Sequence, residues 1–340
     1  MYKKLDKNNL TIFISSILIS ISTLLIGLIV NRGFFLIDSV VGNEYENIRN
    51  ANKFVDLGRL GHRLLTPYLS KIFPSIFIFN IFIIFISLFI VAYTFQKKYS
   101  ITRTFLLCTS FGTSLVVIFT LNFGNYPDPL TIFLFLLLYI NHNRPKIFTI
   151  LTFLLVVNNE IGIFLLPILF IYRKININKI IYISSSFIAY LIYRFLIGNL
   201  VNNDSSSIQT YLSQLKNIET DFYILFGLFS GIKFLSLFLL FSRKKIFIIL
   251  YLLFYIFLPM NMAVDYSRYG YLLIVCIVII VYEEDLLSKK YFNSLIVLII
   301  ILNTLTPKYY VWSDQVLYLR DSKIHFIDLL GKNLEERLLK

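Results

Sequence analysis

Long apolar blocks separated by short polar turns fill most of this chain. Blocks such as IFIFNIFIIFISLFIVAYTF and YLLIVCIVIIVY approach the roughly 20 residues that carry a helix across hydrocarbon. Lipid admits only helices or closed barrels, because every backbone polar group there needs an internal partner. Short alternating strands are absent, so the pattern predicts helices. Spans are expected at about 10–30, 72–95, 104–122, 129–140, 180–199, 222–241, 246–263, 269–282 and 291–304. Between them, IFTILTFLLVVNNEIGIFLLPILFIY has Arg144 and Lys146 on one side and Arg173, Lys174 and Lys179 on the other. Basic flanks at both ends predict two short helices turning back at Asn158, Asn159 and Glu160. The other reading is a single span with Glu160 buried in it.

The expectation is therefore an all-α, polytopic membrane protein of about 11 crossings, with a transmembrane domain at 1–304 and a tail at 305–340. The longest polar interruption, 31–74, forms the first outer loop and starts to fold back at Arg63 and Pro67. Within the tail, DQVLYLRDSKIHFIDLLGKNLEERLLK reads as an amphipathic helix on the outer surface or over a site.

Composition agrees: 57% hydrophobic, 17% aromatic and 15% charged, against roughly 25% charged in soluble domains. The net charge of +13 resides largely in Lys and Arg clusters at the ends of apolar blocks. That is a membrane-orientation signal and not a nucleic-acid footprint. Lys3, Lys4 and Lys7 put the N-terminus in the cytoplasm; Lys97, Lys98, Arg103, Arg243, Lys244 and Lys245 follow on that side. Glu44, Asp128, Glu160 and Asp265 fall at outward points, so acidic residues are expected to gather on one face. Cys108 and Cys276 sit inside apolar blocks, as small core residues do. No CxxC, HExxH or GxxxxGK[ST] occurs, which removes support for metalloprotease and P-loop readings. A divalent metal stays an open question, and no other cofactor is indicated.

On the outer face the loop carboxylates Glu44, Glu46 and Asp38 are the candidate general bases. Arg63 and Arg268 are the candidate phosphate contacts, because the planar guanidinium can bond two oxygens at once. Asp128 lies between two prolines, where it either caps the following helix or meets substrate. Glu160 is costly at membrane depth on either reading of its block. Arg194 and Lys233 lie near the outer ends of spans, as snorkelling cations or as contacts to a lipid phosphate. Arg268 has Asp265 as a near neighbour for pairing, and His62 lacks a ligand-type partner in sequence.

Four short motifs in order, GNEYENI, HRLLTPYLS, NNEIGIFLLP and DYSRYGYLL, resemble those of bacterial multi-pass glycosyltransferases of the GT-C type. The likeness covers about 1–285: an acidic loop after the first helix, a yRiLyPlL-type re-entry, an REt-type tip and a late sRyl-type motif. It implies a sugar moved from a polyprenyl-phosphate donor to a glycan or lipid acceptor on the extracytoplasmic side of a bacterial inner membrane. Residue by residue, it implies Glu44 for the family's catalytic Asp, Arg63 for the re-entry Arg, Glu160 for the tip Glu and Arg268 for the late Arg. The chain departs from the pattern at Glu44, unless Asp38 fills that role, and at Asn159, where the family has Arg. A polymerase of lipid-diphosphate-linked repeats and a transporter or flippase are the competing expectations.

Overall fold

The structure, a computed structural model, describes residues 7–31, 40–51, 63–122, 125–173, 177–201, 225, 228–229, 231–256, 266–306, 309–312 and 315–318. Among the described residues, two helices are long and apolar enough to cross a membrane: α1 (Lys7–Asn31), apolar from Asn9, and α4 (Ile76–Gln96). They run antiparallel, since Gln96 at the end of α4 reaches back to Ser15 and Ser16 early in α1. Between them lie α2 (Val40–Asn50), α3 (Leu65–Leu69) and a 3-10 turn at Ser70–Ile72. Ser75 starts α4 by accepting from the Ile78 N–H at 3.2 Å, leaving the backbone extended just before the apolar run.

The expected span at 104–122 is two helices, α5 (Ile101–Gly112) and α6 (Leu115–Asn122). The break falls at FGTS, where Thr113 and Ser114 turn their hydroxyls onto backbone carbonyls of Ser110 and Phe111. Gly112 is required there: a Cβ would lie 2.6 Å from the Thr23 carbonyl oxygen of α1. Small residues let the two backbones approach this closely, as they do at membrane helix crossings.

α7 (Asp128–Ile140) and α8 (Pro145–Asn158) follow, and then the chain reverses. Asn159 is extended, with φ −160 and ψ 113, before a 3-10 segment at Glu160–Leu165 and α9 (Pro167–Tyr172). The expected hairpin is what the contacts describe. Arg173, past α9, reaches Glu283 and the Tyr139 hydroxyl near the end of α7. Glu160, at the tip, meets residues at the other end. Gly162 presses on the Leu155 side chain and keeps the two arms together.

α10 (Ile177–Val201) packs on α8, and the remainder comprises a 3-10 segment at Lys233–Ser236, α11 (Leu237–Leu240), α12 (Lys245–Tyr255), α13 (Tyr266–Leu272), α14 (Ile274–Glu283) and α15 (Phe292–Leu305). The expected span at 269–282 is thus interrupted at Leu273. Every residue from 267 to 281 is buried, so α13 and α14 form the central rod of the bundle. That fits a sequence apolar all round, and it makes Arg268 the exception on that rod.

The tail corrects another expectation. Tyr309–Trp312 (β1) and Gln315–Tyr318 (β2) pair antiparallel, Trp312 opposite Gln315, and β1 lies against α13. Aromatic and β-branched residues on both sides of a two-residue connection favour a hairpin over the helix expected from the charge pattern. The rest of the tail lies outside the described residues.

Asp128 and Glu160 gather at one end as expected, beside α2, which carries Glu44, and Asp265 lies outside the described residues. Not all acidic residues share that face. Glu283, Glu284 and Asp285 lie at the end opposite Glu160, among the basic turns. Glu283 accepts from Tyr139 and Arg173, and Glu284 accepts from Tyr172, from the Ser242 hydroxyl at 2.6 Å and from the Arg243 N–H at 2.5 Å. Lys98 pairs with Asp285 at 3.1 Å. These bonds tie the ends of α4, α7, α9, α11 and α14 into one polar plate.

Candidate functional site

At the other end, four segments far apart in sequence meet around the Asn158–Glu160 tip. Arg63, just before α3, lays its Nε and Nη2 on the two Glu160 carboxylate oxygens at 2.8 and 2.5 Å, across 97 residues of chain. Its Nη1 donates to the Tyr45 hydroxyl at 3.1 Å, which ties α2 to the same guanidinium. Burial alone would lower the Arg63 pKa. The Glu160 carboxylate beside it outweighs that effect and holds the guanidinium well above its ordinary value.

Arg268 makes the second pair, Nε and Nη2 on Asp128 at 2.5 and 3.0 Å, across 140 residues. Its guanidinium lies 4.5 Å from the Tyr126 ring centroid and 5.6 Å from that of Tyr269, at cation–π distance. The Asn159 side chain donates to the same Asp128 carboxylate at 3.0 Å. Asp128 therefore spends its oxygens on Arg268 and Asn159, and its side chain does not cap α7.

Asn158, one residue earlier, is fully buried and holds three segments in place. Its Oδ1 accepts from Thr66 at 2.6 Å, and its Nδ2 donates to the Pro127 carbonyl at 2.8 Å and to Thr131 at 3.0 Å. The three consecutive residues Asn158, Asn159 and Glu160 thus fix the re-entry helix, the NYPDP turn and both arginine pairs. Sequence reading singled out Glu160 and missed Asn158 and Tyr45. The available signal was amide and phenol groups beside candidate charged residues within otherwise apolar blocks.

Glu44 lies on α2, partly buried, one residue from Tyr45. Its neighbour Glu46 has a different job: it accepts the Ile76 N–H at 3.1 Å at the start of α4 and pairs with Arg49 at 3.4 Å. Arg49 donates to the Phe73 and Pro74 carbonyls, so this pair staples α2 to the corner before α4. Glu46 is a structural cap, and the general-base candidacy that its loop position gave it is withdrawn on that geometry.

Lys233 does not snorkel. It is 3% exposed, in a left-handed backbone with φ 44, where the chain at Gly231 presses on Gly270 and Tyr271 of α13. A buried lysine in that conformation is held at a local cost of order 1–3 kcal/mol. Arg194 is on α10, and its side chain lies outside the described residues. Asp38, Asp265 and His62 also lie outside them. Among the described residues, no three His, Cys, Asp or Glu side chains come together as a metal site requires.

The arrangement places two guanidinium–carboxylate pairs side by side at one end of a helical bundle, with loop helix α2 over them. In each pair the guanidinium presents its Nε–Nη2 edge, the edge that can hold two oxygens of one oxyanion, to a carboxylate. Comparison with protein-family models, curated proteins and solved structures finds no match to this chain.

Proposed function

We propose that the chain is a polytopic membrane glycosyltransferase of GT-C type, with about 11 crossings and a cytoplasmic N-terminus in a bacterial inner membrane. It moves a sugar from a polyprenyl-phosphate donor to a cell-envelope glycan or lipid acceptor on the outer side. The observation that carries this reading is the meeting of Arg63, Asp128, Glu160 and Arg268 at one end of the bundle. Segments so distant in sequence have no packing need to bring charged groups together, and buried charges are costly unless paired.

In this reading Arg63 and Arg268 are the contacts to the donor phosphate, with Lys233 a third cation. Glu44, or Asp38 in its place, removes the acceptor hydroxyl proton as that oxygen attacks the anomeric carbon. The bond from that carbon to the phosphate oxygen breaks, and polyprenyl phosphate leaves with the electron pair, inverting the configuration. The short helices support a recessed site: α7 has 13 residues, about 20 Å against the roughly 30 Å of hydrocarbon. With the polar plate at the inner surface, the ion pairs lie below the outer one, within reach of a lipid headgroup.

Purified protein given polyprenyl-phosphate sugars and envelope glycans is expected to release polyprenyl phosphate, and Arg63→Gln to abolish that release. A wild-type protein that takes up the sugar lipid into liposomes unchanged would turn the reading towards a flippase. A ladder of products would turn it towards a polymerase.

A further inference from the structure

We propose that Glu160 is an internal stand-in for phosphate on Arg63, an anion site held shut by the chain's own carboxylate until a phosphate group displaces it. The inference rests on the transferase reading for the source of the phosphate, and adds how the site is regulated. Arg63 presents its Nε–Nη2 edge to both Glu160 oxygens, and that edge is the one a guanidinium offers to two phosphate oxygens. The remaining nitrogen, Nη1, already donates to Tyr45. With all three nitrogens engaged, an arriving oxyanion takes its place by exchange.

Charge leads to the same conclusion. Two arginines and two carboxylates at the tip sum to zero. A phosphate added beside them would leave surplus negative charge in a largely buried place, where Coulomb energies are far larger than in water. Release of one carboxylate to solvent removes most of that surplus. Asp128 is the worse candidate to leave, because its side chain is 0% exposed. Glu160 is the better one, with its side chain 18% exposed and its position at the first residue after the extended Asn159. Rotation of its own side-chain torsions carries the carboxylate away without moving α8.

The sign of an affinity change tests this. Wild type, Glu160→Gln, Glu160→Asp and Arg63→Gln are purified in detergent, and binding of farnesyl phosphate and of inorganic phosphate is measured by calorimetry. A pair closed about nine-tenths of the time weakens apparent affinity about tenfold, so Glu160→Gln is expected to bind roughly tenfold tighter. Arg63→Gln is expected to lose binding. A parallel gain for inorganic phosphate assigns the effect to the phosphate group itself; a gain for farnesyl phosphate alone assigns it to the lipid-presented headgroup. Equal or weaker binding in Glu160→Gln overturns the stand-in role, because it makes Glu160 a prop for Arg63, while leaving the phosphate reading in place. Should the Gln variant fail to fold, Glu160→Asp keeps the charge at shorter reach. It is expected to gain less, and no gain there overturns the proposal. No binding by wild type overturns both the proposal and the reading beneath it.

Discussion

At the scale of single residues, exposure decides what each ion pair is worth. Arg268 and Asp128 have side chains 4% and 0% exposed, so removing one partner strands the other in a low-dielectric place at about 3–5 kcal/mol. Lys98 and Asp285 are 38% and 46% exposed, where truncation costs at most about 1 kcal/mol. Asn also tolerates the left-handed backbone of Asp285, φ 54. Thermal unfolding in detergent should show Arg268→Gln far below wild type and Asp285→Asn close to it. The double change Asp128→Asn with Arg268→Gln should recover part of the loss, because it removes both charges together. Equal losses for the two pairs would mean that the first is not buried as described. Arg268 and Asp128 were each visible in the sequence as candidates, yet their partnership was not. Arg268 has Asp265 three residues away in sequence, and its described pair is with Asp128, because pairing is set by which segments the fold brings together. No local periodicity encodes a contact across 140 residues.

At the scale of elements, the apolar blocks predicted helical structure, because apolar runs and flanking charge are local properties. The expected span at 222–241 is nevertheless, in its described part, largely a 3-10 segment at Lys233–Ser236 and a four-residue helix. The breaks were less legible. The step at Leu273 interrupts a block without altering its hydropathy, so a pattern of apolar residues passes over it, and the Gly, Thr and Ser of FGTS soften their block without supplying the charges that would end a span. The α5–α6 break has a cause that only packing reveals, the closeness of α1. Gly112→Ala puts a Cβ 2.6 Å from the Thr23 backbone oxygen, which cannot rotate aside. Gly27→Ala meets the buried Val117 Cγ1 at the same 2.6 Å and the Gly112 carbonyl oxygen only at 3.2 Å, so its hard backbone contact is the looser of the two. The expected outcome is a lower yield of monodisperse protein and a lower Tm for Gly112→Ala than for Gly27→Ala. The reverse order would place the tightest point of the crossing at Gly27 and Val117 and not at Gly112 and Thr23. The second strand of the C-terminal hairpin was misread for a different reason: charges spaced to suit a helix face from Asp314 onward outweighed the strand preference of QVLY.

At the scale of the whole molecule, the two polar ends are chemically unlike. One is a plate of tyrosines, basic turns and Glu283–Asp285; the other is a closed knot of two arginine pairs under α2. If the bundle spans a membrane, these ends face different compartments, and chain geometry dictates which residues share a side. Asn43 is exposed beside the knot, whereas Lys146 and Arg243 are exposed at the plate. Cysteine placed at each position reports its side through a membrane-impermeant maleimide, and the native Cys108 and Cys276, 0% and 2% exposed, contribute little labelling. In intact cells Asn43→Cys should label, while Lys146→Cys and Arg243→Cys should label only after the membrane is opened. The comparison of the last two is the sharper half of the experiment. A hairpin through residues 145–173 returns the chain to the side it left, which keeps 146 and 243 together. A single span there would put one of them outside. Labelling of Arg243→Cys in intact cells, with Lys146→Cys protected, would therefore contradict the hairpin and with it the placement of Glu160 at the knot.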